Sequence, residues 1–252
     1  MYLHNLKRSL QKRVFGNELL SFKKHKAYLN NKNGLEIGGT SKIFTDNEAM
    51  PVYKIASNID GCNFSLNTVW EGKIVKGKTY NFHQSKSNGI QFICEGNDLG
   101  EIKDESYDFV LSSHSLEHFA NPLKAIYEWK RVTKNEGLII IVLPHPKFTF
   151  DNKRKITTFK HLLLDYTNET KEDDLTHVEE VVEMHDYAMT PDINTKEDMR
   201  KRSLDNYNNR CLHHHVYNED LIKEISSFFN LKLLATDFVK PFNSIFYLKV
   251  IH

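Results

Sequence analysis

The sequence predicts an α/β fold with a Rossmann-like, doubly wound sheet that is mostly parallel and ends in an antiparallel hairpin. Three stretches support this prediction. Residues 106–146 have a strand–helix–strand pattern, residues 34–41 a short strand followed by adjacent glycines, and residues 231–251 two strands around a proline-containing turn. Small molecules bind such sheets at the carboxyl ends of the parallel strands, so we expect a ligand site at that edge.

The strand–helix–strand unit is the best defined of the three. Its apolar runs, residues 109–111 and 138–143, are too short for helices, and their composition favours buried parallel strands. Between them, Asn121 can cap a helix, Pro122 fits its first turn and Gly137 fits just past its end.

Hydrophobic spacing and turn residues predict the remaining elements. An amphipathic helical segment is expected near the N-terminus, and further helices and strands follow along the chain. The predicted helices cover residues 3–22, 157–166, 175–189 and 218–229, and the additional strands cover residues 52–59 and 90–94.

Composition narrows the class of protein. The chain has 252 residues, which suits one large domain or a domain with additions, and its formal net charge of +1 gives no reason to expect nucleic acid. No apolar run approaches the roughly 20 residues of a membrane span, and we see no secretion signal. Three scattered cysteines fit neither a metal motif nor a disulfide framework. We therefore expect a cytoplasmic protein without a membrane span.

The glycine turn and the strand after it offer ligand contacts. Gly38 and Gly39 would let the backbone turn tightly and let a ligand approach, but a nicotinamide fingerprint would need GxGxxG. Glu36, two residues before the first glycine, can either hold an ammonium group or orient the loop. Asp60 lies roughly 20 positions after the turn, where an acid suits ribose hydroxyls. The alternative for Asp60 is an ordinary turn residue.

Polar groups also follow the third and fourth predicted strands. Carboxylates after the third strand would accept hydrogen bonds from an exocyclic amine, and Leu99 would cover a purine face. The fourth strand ends in Ser113 and His114, which places a hydroxyl and an imidazole at the expected ligand edge.

The order of these motifs, with Leu116-Glu117-His118 after the fourth strand, resembles the class I S-adenosylmethionine-dependent methyltransferases, in particular the type 11-like branch. This resemblance implies S-adenosyl-L-methionine as the cofactor. It also implies contacts to each part of that molecule. Glu36, Gly38, Gly39 and Ser41 would surround the methionine part, Asp60 would hold the ribose, Glu95, Asn97, Asp98 and Leu99 would neighbour the adenine, and Ser113 and His114 would line the sulfonium side.

The resemblance further implies O-methylation of a small sugar or sugar-linked acceptor in bacterial surface-carbohydrate synthesis. A hydroxyl acceptor benefits from a base, and His145 is the first candidate because it follows the fifth strand. His214 is the second. Residues 213–215 could also join His177, Glu180 or Asp186 around a divalent metal, but the spacing matches no zinc motif, so a metal is possible and not expected.

Four parts make up the predicted organisation. They are an N-terminal helical extension (1–32), a cofactor-binding core (33–146), an acceptor-site insertion or lid (147–217, called the insertion below) and a C-terminal helix and hairpin (218–252). Three alternatives for the function stay open: a non-catalytic cofactor-binding protein of the same fold, a nicotinamide-dependent enzyme and a metal-dependent enzyme. The sequence does not give the oligomeric state.

Overall fold

The computed structural model describes residues 18–193 and 195–252. An eight-stranded sheet forms its centre, and a two-stranded ribbon stands apart from it. The strands are β1 (Asn33–Ile37), β2 (Asn58–Asn63), β3 (Asn67–Thr68), β4 (Gly72–Lys73), β5 (Gly77–Tyr80), β6 (Gly89–Ile93), β7 (Tyr107–Ser113), β8 (Thr133–Pro144), β9 (Leu231–Val239) and β10 (Asn243–Val250).

The strand order in the large sheet is β5-β6-β2-β1-β7-β8-β10-β9. Strands β6, β2, β1, β7 and β8 run parallel. The hairpin of β9 and β10 joins β8 antiparallel, and β5 adds an antiparallel edge beside β6. The order reverses direction at β1, which makes this a doubly wound sheet, so the predicted fold class is confirmed.

Helices and 3₁₀ turns cover the sheet and fill the insertion. No helix among the described residues combines the length and apolar character needed to cross a bilayer. The helices are α1 (Leu20–His25), α2 (Val52–Ile55), α3 (Pro122–Val132), α4 (Phe159–Thr167), α5 (Val178–Met184), α6 (Lys196–Leu204), α7 (Asn206–Asn209) and α8 (Glu219–Phe228), and the 3₁₀ turns are Lys26–Tyr28, Lys42–Phe44, Leu116–His118 and Tyr187–Met189.

Side-chain caps fix the starts of the two helices that flank the insertion. Asn121 accepts a hydrogen bond from the Lys124 amide (3.1 Å) at the start of α3, with a proline in the first turn as predicted. Asn218 accepts from the Leu221 amide (2.9 Å) at the start of α8. Gly137 does not follow the helix directly, because α3 ends at residue 132 and Gly137 lies inside β8.

Near the N-terminus, one predicted strand differs from the structure and one predicted helix lies mostly outside the described residues. The strand predicted at residues 52–59 is wrong: this segment contains the four-residue helix α2, and the strand begins only at Asn58. Short apolar runs fit a strand or a buried helical turn equally well, and Val52 and Tyr53 are buried in the latter way. Most of the helix predicted at residues 3–22 lies outside the described residues.

The sheet is buried on both faces, which explains the continuous apolar run of β8. Alternate side chains of this strand enter two different hydrophobic clusters, as the period of two in a strand requires. Ile139, Ile141 and Leu143 pack on the face that carries α3 and α8, whereas Leu138, Ile140 and Val142 pack on the opposite face.

Asp60 does not lie at the end of β2, contrary to the sequence prediction, but in its middle, where it pairs with Leu35. One carboxylate oxygen accepts hydrogen bonds from the Ile90 amide (2.8 Å) and the Asn58 side chain (2.9 Å). The other accepts from the Tyr107 hydroxyl (2.8 Å). Burial and the neighbouring carboxylate together raise the pKa of Tyr107. Asp60 therefore joins β2 to β6 and β7.

This network predicts that Asp60→Ala destabilises the fold. The substitution leaves a buried hydroxyl and a partly buried amide without their acceptor, which costs about 1–3 kcal/mol of unfolding free energy. Urea unfolding followed by circular dichroism measures this cost, with Asp98→Ala, a change at an exposed turn, as the control. Equal midpoints for both variants and the wild type would contradict the role assigned to Asp60.

Candidate active site

A cavity of about 950 Å³ opens at the carboxyl ends of the parallel strands. Its volume lies at the upper end of the range for small-molecule sites, about 300–1,000 Å³. One side consists of residues at the ends of five strands, and the insertion and the β9–β10 turn supply the other. Representative lining residues are Gly38, Asn63, Glu95, Ser113 and Pro144 on the first side and Phe148, Glu172, Arg210, His213 and Phe242 on the second.

Glu36 holds the glycine loop in place from below. Its side chain is fully buried, and one oxygen accepts from the amide (3.1 Å) and hydroxyl (2.7 Å) of Ser41. The other oxygen accepts from the hydroxyls of Tyr53 (2.8 Å) and Tyr80 (2.7 Å). Burial raises the pKa of Glu36, and these hydrogen bonds oppose the rise. Glu36 is absent from the cavity wall, so its geometry matches loop orientation, the second of its two predicted roles.

The two glycines of the loop are needed for different reasons. Gly38 lines the cavity at φ = +73°, and a Cβ there would come within 2.6 Å of the Ser115 hydroxyl oxygen. A Cβ on Gly39 would lie 2.1 Å from a carboxylate oxygen of Glu36. Gly38 therefore keeps the cavity open, Gly39 makes room for the buried acid, and Ser41 lines the cavity beside them.

Asn63 occupies the position at the end of β2 that we had expected Asp60 to occupy. It lines the cavity, and its neighbour Cys62 pairs with Ile37 at the end of β1. An amide side chain offers both donors and an acceptor to ribose hydroxyls. The misplaced strand start caused the error, because shifting β2 along the chain moves the residue that ends it.

Glu95 is the one predicted adenine neighbour that lines the cavity. Its carboxylate pairs with the guanidinium of Arg210 from the insertion. That guanidinium also lies 5.0 Å from the ring centroid of Phe64, just after β2. Charge pairing and cation–π contact thus attach the insertion to this end of the cavity.

The other three residues predicted near the adenine lie elsewhere. Asn97 is buried and donates to a carboxylate oxygen of Glu172 (2.9 Å), and Asp98 is exposed on the turn. Leu99 is fully buried in the hydrophobic core under the sheet, so it cannot cover a ligand ring. The turn after β6 folds back onto α3, and this directs these side chains away from the cavity.

Ser113 and His114 both line the cavity, as the sequence predicted. His114 adopts φ = 51°, and its ring lies between Asn243 (2.7 Å from Nε2) and Glu117 (3.4 Å from Nδ1). Burial would lower the pKa of His114, but the contacts with Glu117 and Asn243 outweigh it and raise the pKa.

Glu117 is a buried carboxylate in the cavity wall. Within the described part of the chain, neither of its oxygens has a hydrogen-bond partner. Burial would raise the pKa of Glu117, but His114 and His118 hold it below its ordinary value. Oε1 lies 3.4 Å from the His114 imidazole, and Oε2 can accept from a ligand that brings a hydrogen-bond donor.

Neither predicted catalytic histidine lines the cavity. The ring of His145 packs against Phe148 (4.7 Å between centroids) and Phe238 (4.9 Å), where burial lowers its pKa. His214 is fully buried and contacts the side chain of Asn206 (3.1 Å). Consecutive side chains in an extended segment alternate in direction. Here the side chain of the preceding residue, His213, lines the cavity.

His213 is the functional candidate that sequence reasoning passed over. Its Nδ1 lies 2.6 Å from Asp151, whose other oxygen accepts from Arg154 (3.0 Å). Burial raises the pKa of Asp151, but His213 and Arg154 outweigh this and lower it to about 2. His118 packs edge-on against His213 (4.6 Å), and burial lowers its pKa to about 3. The arrangement presents Nε2 of a carboxylate-oriented imidazole to the cavity.

Comparison with known proteins gives the enzyme class. Residues 52–141 match the family described as "Methyltransferase domain". No curated protein matches the sequence. The fold is similar to that of a protein assigned as an S-adenosylmethionine-dependent methyltransferase from Listeria monocytogenes, at 14% identity and TM-score 0.50, over 92% of this chain and 96% of that one. It is also similar to a protein assigned as a sarcosine dimethylglycine methyltransferase from Galdieria sulphuraria, at 13% identity and TM-score 0.50, over 92% and 83%.

The match of residues 52–141 to a methyltransferase domain confirms the expected enzyme class, an S-adenosylmethionine-dependent methyltransferase, and with it the expected cofactor. The solved structures show the fold alone. The cavity lies at the edge of the sheet where this class of fold binds its ligands. The glycine loop and the ends of β2, β6 and β7 provide hydrogen-bonding groups that fit a nucleoside with a charged amino-acid tail.

The geometry predicts that Asn63, and not Asp60, contributes to cofactor affinity. Asn63→Ala removes a cavity-facing amide and should weaken S-adenosylmethionine binding roughly tenfold, about 1.4 kcal/mol. Asp60→Ala, which changes a residue behind the cavity wall, should leave the affinity of the folded protein within about twofold. Isothermal titration calorimetry measures both. A loss of affinity confined to Asp60→Ala would reverse this assignment.

The buried carboxyl group of Glu172 should make the free energy of unfolding depend on pH. Burial raises the pKa of Glu172 from 4.5 to about 7. A raised folded-state pKa means that the folded chain binds the proton more tightly, so this stabilisation is full below about pH 4.5 and is lost as the pH rises through about 7.

Glu172→Gln stays neutral, so its unfolding free energy should rise relative to wild type between about pH 5 and pH 8, by up to about 3 kcal/mol. Denaturant unfolding at several pH values tests this, with the exposed Glu224→Gln as the control. A difference that does not change with pH would contradict the buried, protonated state.

Proposed function

We propose that this enzyme transfers the methyl group of S-adenosylmethionine to a hydroxyl of a small acceptor, with His213 as the base and Asp151 as the residue that orients it. The single observation behind this proposal is the 2.6 Å contact between Asp151 and Nδ1 of His213, at a cavity wall opposite the glycine loop. This pair combines an imidazole with a carboxylate that orients it, which is an arrangement suited to general-base catalysis.

In this proposal the cofactor lies across the ends of β1, β2 and β6. Gly38 gives it close backbone approach, Asn63 faces its ribose, and Glu95 is near its adenine. The sulfonium then faces the end of β7, where Ser113 and His114 line the wall. The methyl group points toward the insertion, which carries His213.

The reaction is an in-line displacement at the methyl carbon. An acceptor oxygen forms the new carbon–oxygen bond while the sulfur–carbon bond breaks, and the electron pair stays on sulfur in S-adenosylhomocysteine. His213 Nε2 takes the hydroxyl proton, and the Asp151 carboxylate stabilises the imidazolium that forms. Much of the remaining acceleration comes from alignment of the two reactants in the cavity.

The acceptor we favour is a sugar or a sugar-linked group, as the resemblance to enzymes of surface-carbohydrate synthesis implies. Support for a polyhydroxylated ligand comes from Glu117 in the cavity wall, whose Oε2 has no hydrogen-bond partner among the described residues and can accept from a hydroxyl. Trp70, which lies 5.4 Å from His118 and is largely exposed, offers an apolar ring face for the non-polar side of a sugar.

A nitrogen acceptor is the second candidate. The carboxylate of Glu117 would then bind a cationic amine in place of a hydroxyl of the acceptor. The two candidates differ in what Glu117→Gln does. If Glu117→Gln raises the acceptor KM but leaves the preference between amines and alcohols unchanged, the result favours the hydroxyl acceptor.

The base assignment predicts that His213→Ala lowers turnover by about 10²–10⁴-fold, the usual contribution of a positioned base, while S-adenosylmethionine affinity stays within about threefold. Asp151→Asn should lower turnover in the same direction by less, since it leaves the imidazole in place. His145→Ala, outside the cavity wall, is the matched histidine control. Methyl transfer to candidate acceptors is measured as S-adenosylhomocysteine release. Wild-type turnover by a folded His213→Ala variant would remove His213 from the mechanism.

A further inference from the structure

We propose that His161, Asp165, His177 and His215 bind a structural zinc ion that holds three segments of the insertion together. Three imidazoles of this group place one nitrogen each within 4.8 Å of one another. The carboxylate of Asp165 joins them: Oδ2 lies 3.4 Å from Nε2 of His161 and 3.8 Å from Nε2 of His215. We call these four side chains the histidine cluster.

The spacing within the histidine cluster suits a tetrahedral zinc site. Zinc binds imidazole nitrogen and carboxylate oxygen at about 2.0–2.2 Å, so neighbouring ligand atoms lie roughly 3.3 Å apart. Nε2 of His161 and Nε2 of His177 are 3.1 Å apart, and the two contacts of Asp165, at 3.4 and 3.8 Å, are slightly longer than this spacing. Three nitrogens and one oxygen also give the four protein ligands of a closed structural site.

An unpaired buried atom provides a second, independent observation. Among the described residues, Oδ2 of Asp165 is buried without a hydrogen-bond partner. Nε2 of His215, 3.8 Å from this oxygen, contacts the Ala120 carbonyl oxygen at 3.4 Å, and binding an ion through Nε2 would replace that contact. A hydrogen bond between His161 and His177 satisfies those two rings only, and it leaves the carboxylate oxygen unpaired. A buried polar atom without a partner is costly, and a cation at the centre of the cluster would supply a partner for Asp165.

The ligands come from three separate segments of the insertion. His161 and Asp165 are one turn apart on α4, His177 immediately precedes α5, and His215 lies in the extended segment before α8. Glu180 lies 3.5 Å from Nδ1 of His177, the position of an orienting carboxylate behind a ligand. One ion would therefore hold together elements that share no strand pairing.

A different group, Glu117, His118 and His213, also has metal-ligand spacing. It lies in the cavity wall, and Nδ1 of His213 is already engaged by Asp151. These residues belong to the proposed methyl-acceptor site, so they form the natural comparison: a metal bound there would depend on Glu117, and a metal in the histidine cluster would depend on His161.

The test is metal analysis of untagged protein purified without chelators or metal-affinity resin. Wild type, after incubation with one equivalent of zinc and gel filtration, should hold about one zinc per chain by plasma mass spectrometry. His161→Gln, a change at the most exposed ligand, should lower zinc at least fivefold, as should Asp165→Asn. Glu117→Gln and His25→Gln, the latter a buried histidine bonded to the Ser21 carbonyl, should keep it.

Thermal unfolding adds a readout that activity does not influence. Chelation should lower the wild-type Tm by at least about 5 °C, and zinc should restore it, because an ion that binds only the folded chain stabilises it. The Tm of His161→Gln should not respond to chelation. His161→Gln should still bind S-adenosylmethionine, so that failure of the zinc site can be distinguished from failure of the proposed function.

Wild-type protein with less than a fifth of an equivalent of zinc would overturn the site, and so would zinc that is retained by His161→Gln and Asp165→Asn. Zinc lost from Glu117→Gln alone would place the ion in the cavity and overturn the structural role.

Discussion

The buried carboxylate of Glu36 is the interaction on which the rest of the site depends. It lies at the end of β1, the central strand where the sheet reverses direction, and it has no exposed surface. Such a group is costly unless donors surround it, and Tyr53, Tyr80 and Ser41 supply them. These donors come from α2, the edge strand β5 and the loop that lines the cavity. One carboxylate therefore positions the glycine loop relative to both the sheet and its edge.

Elements that depend on local patterns could be predicted from the sequence, whereas contacts between distant residues could not. The parallel strands other than β2, the capped helix α3 and the closing hairpin follow from local patterns, and all of these were predicted. The acid–glycine–glycine motif was also recognisable, but its chemistry depends on partners far along the chain. Tyr80 is 44 positions from Glu36, and no local pattern indicates that its hydroxyl reaches the acid. Asp60 was assigned to the ligand because the strand start was misplaced, and the cross-sheet contact with Tyr107 was equally invisible.

The histidines show a different limit of sequence reasoning. His145 follows β8 at the expected edge, yet its ring turns to an aromatic group with Phe148 and Phe238. Residues 213–215 were recognised as candidates, but not which of them would face the cavity. The answer depends on Asp151, 62 positions away, which holds the ring of His213. Side-chain direction at a site thus depends on tertiary partners more than on position at a strand end.

The extended segment that carries these histidines connects the two proposed sites. The amide of His214 donates to the carbonyl oxygen of Glu117 (2.8 Å), so the backbone of the segment lies against the turn that forms the cavity wall. His213 lines the cavity, and His215, two residues further along, contacts Asp165 in the histidine cluster. An ion bound to His215 would restrain the backbone two residues from His213. Because proton transfer requires the base within hydrogen-bond reach of the acceptor, a restraint on this segment would restrict where His213 can lie. The proposed metal would then influence methyl transfer through position alone, without touching either reactant.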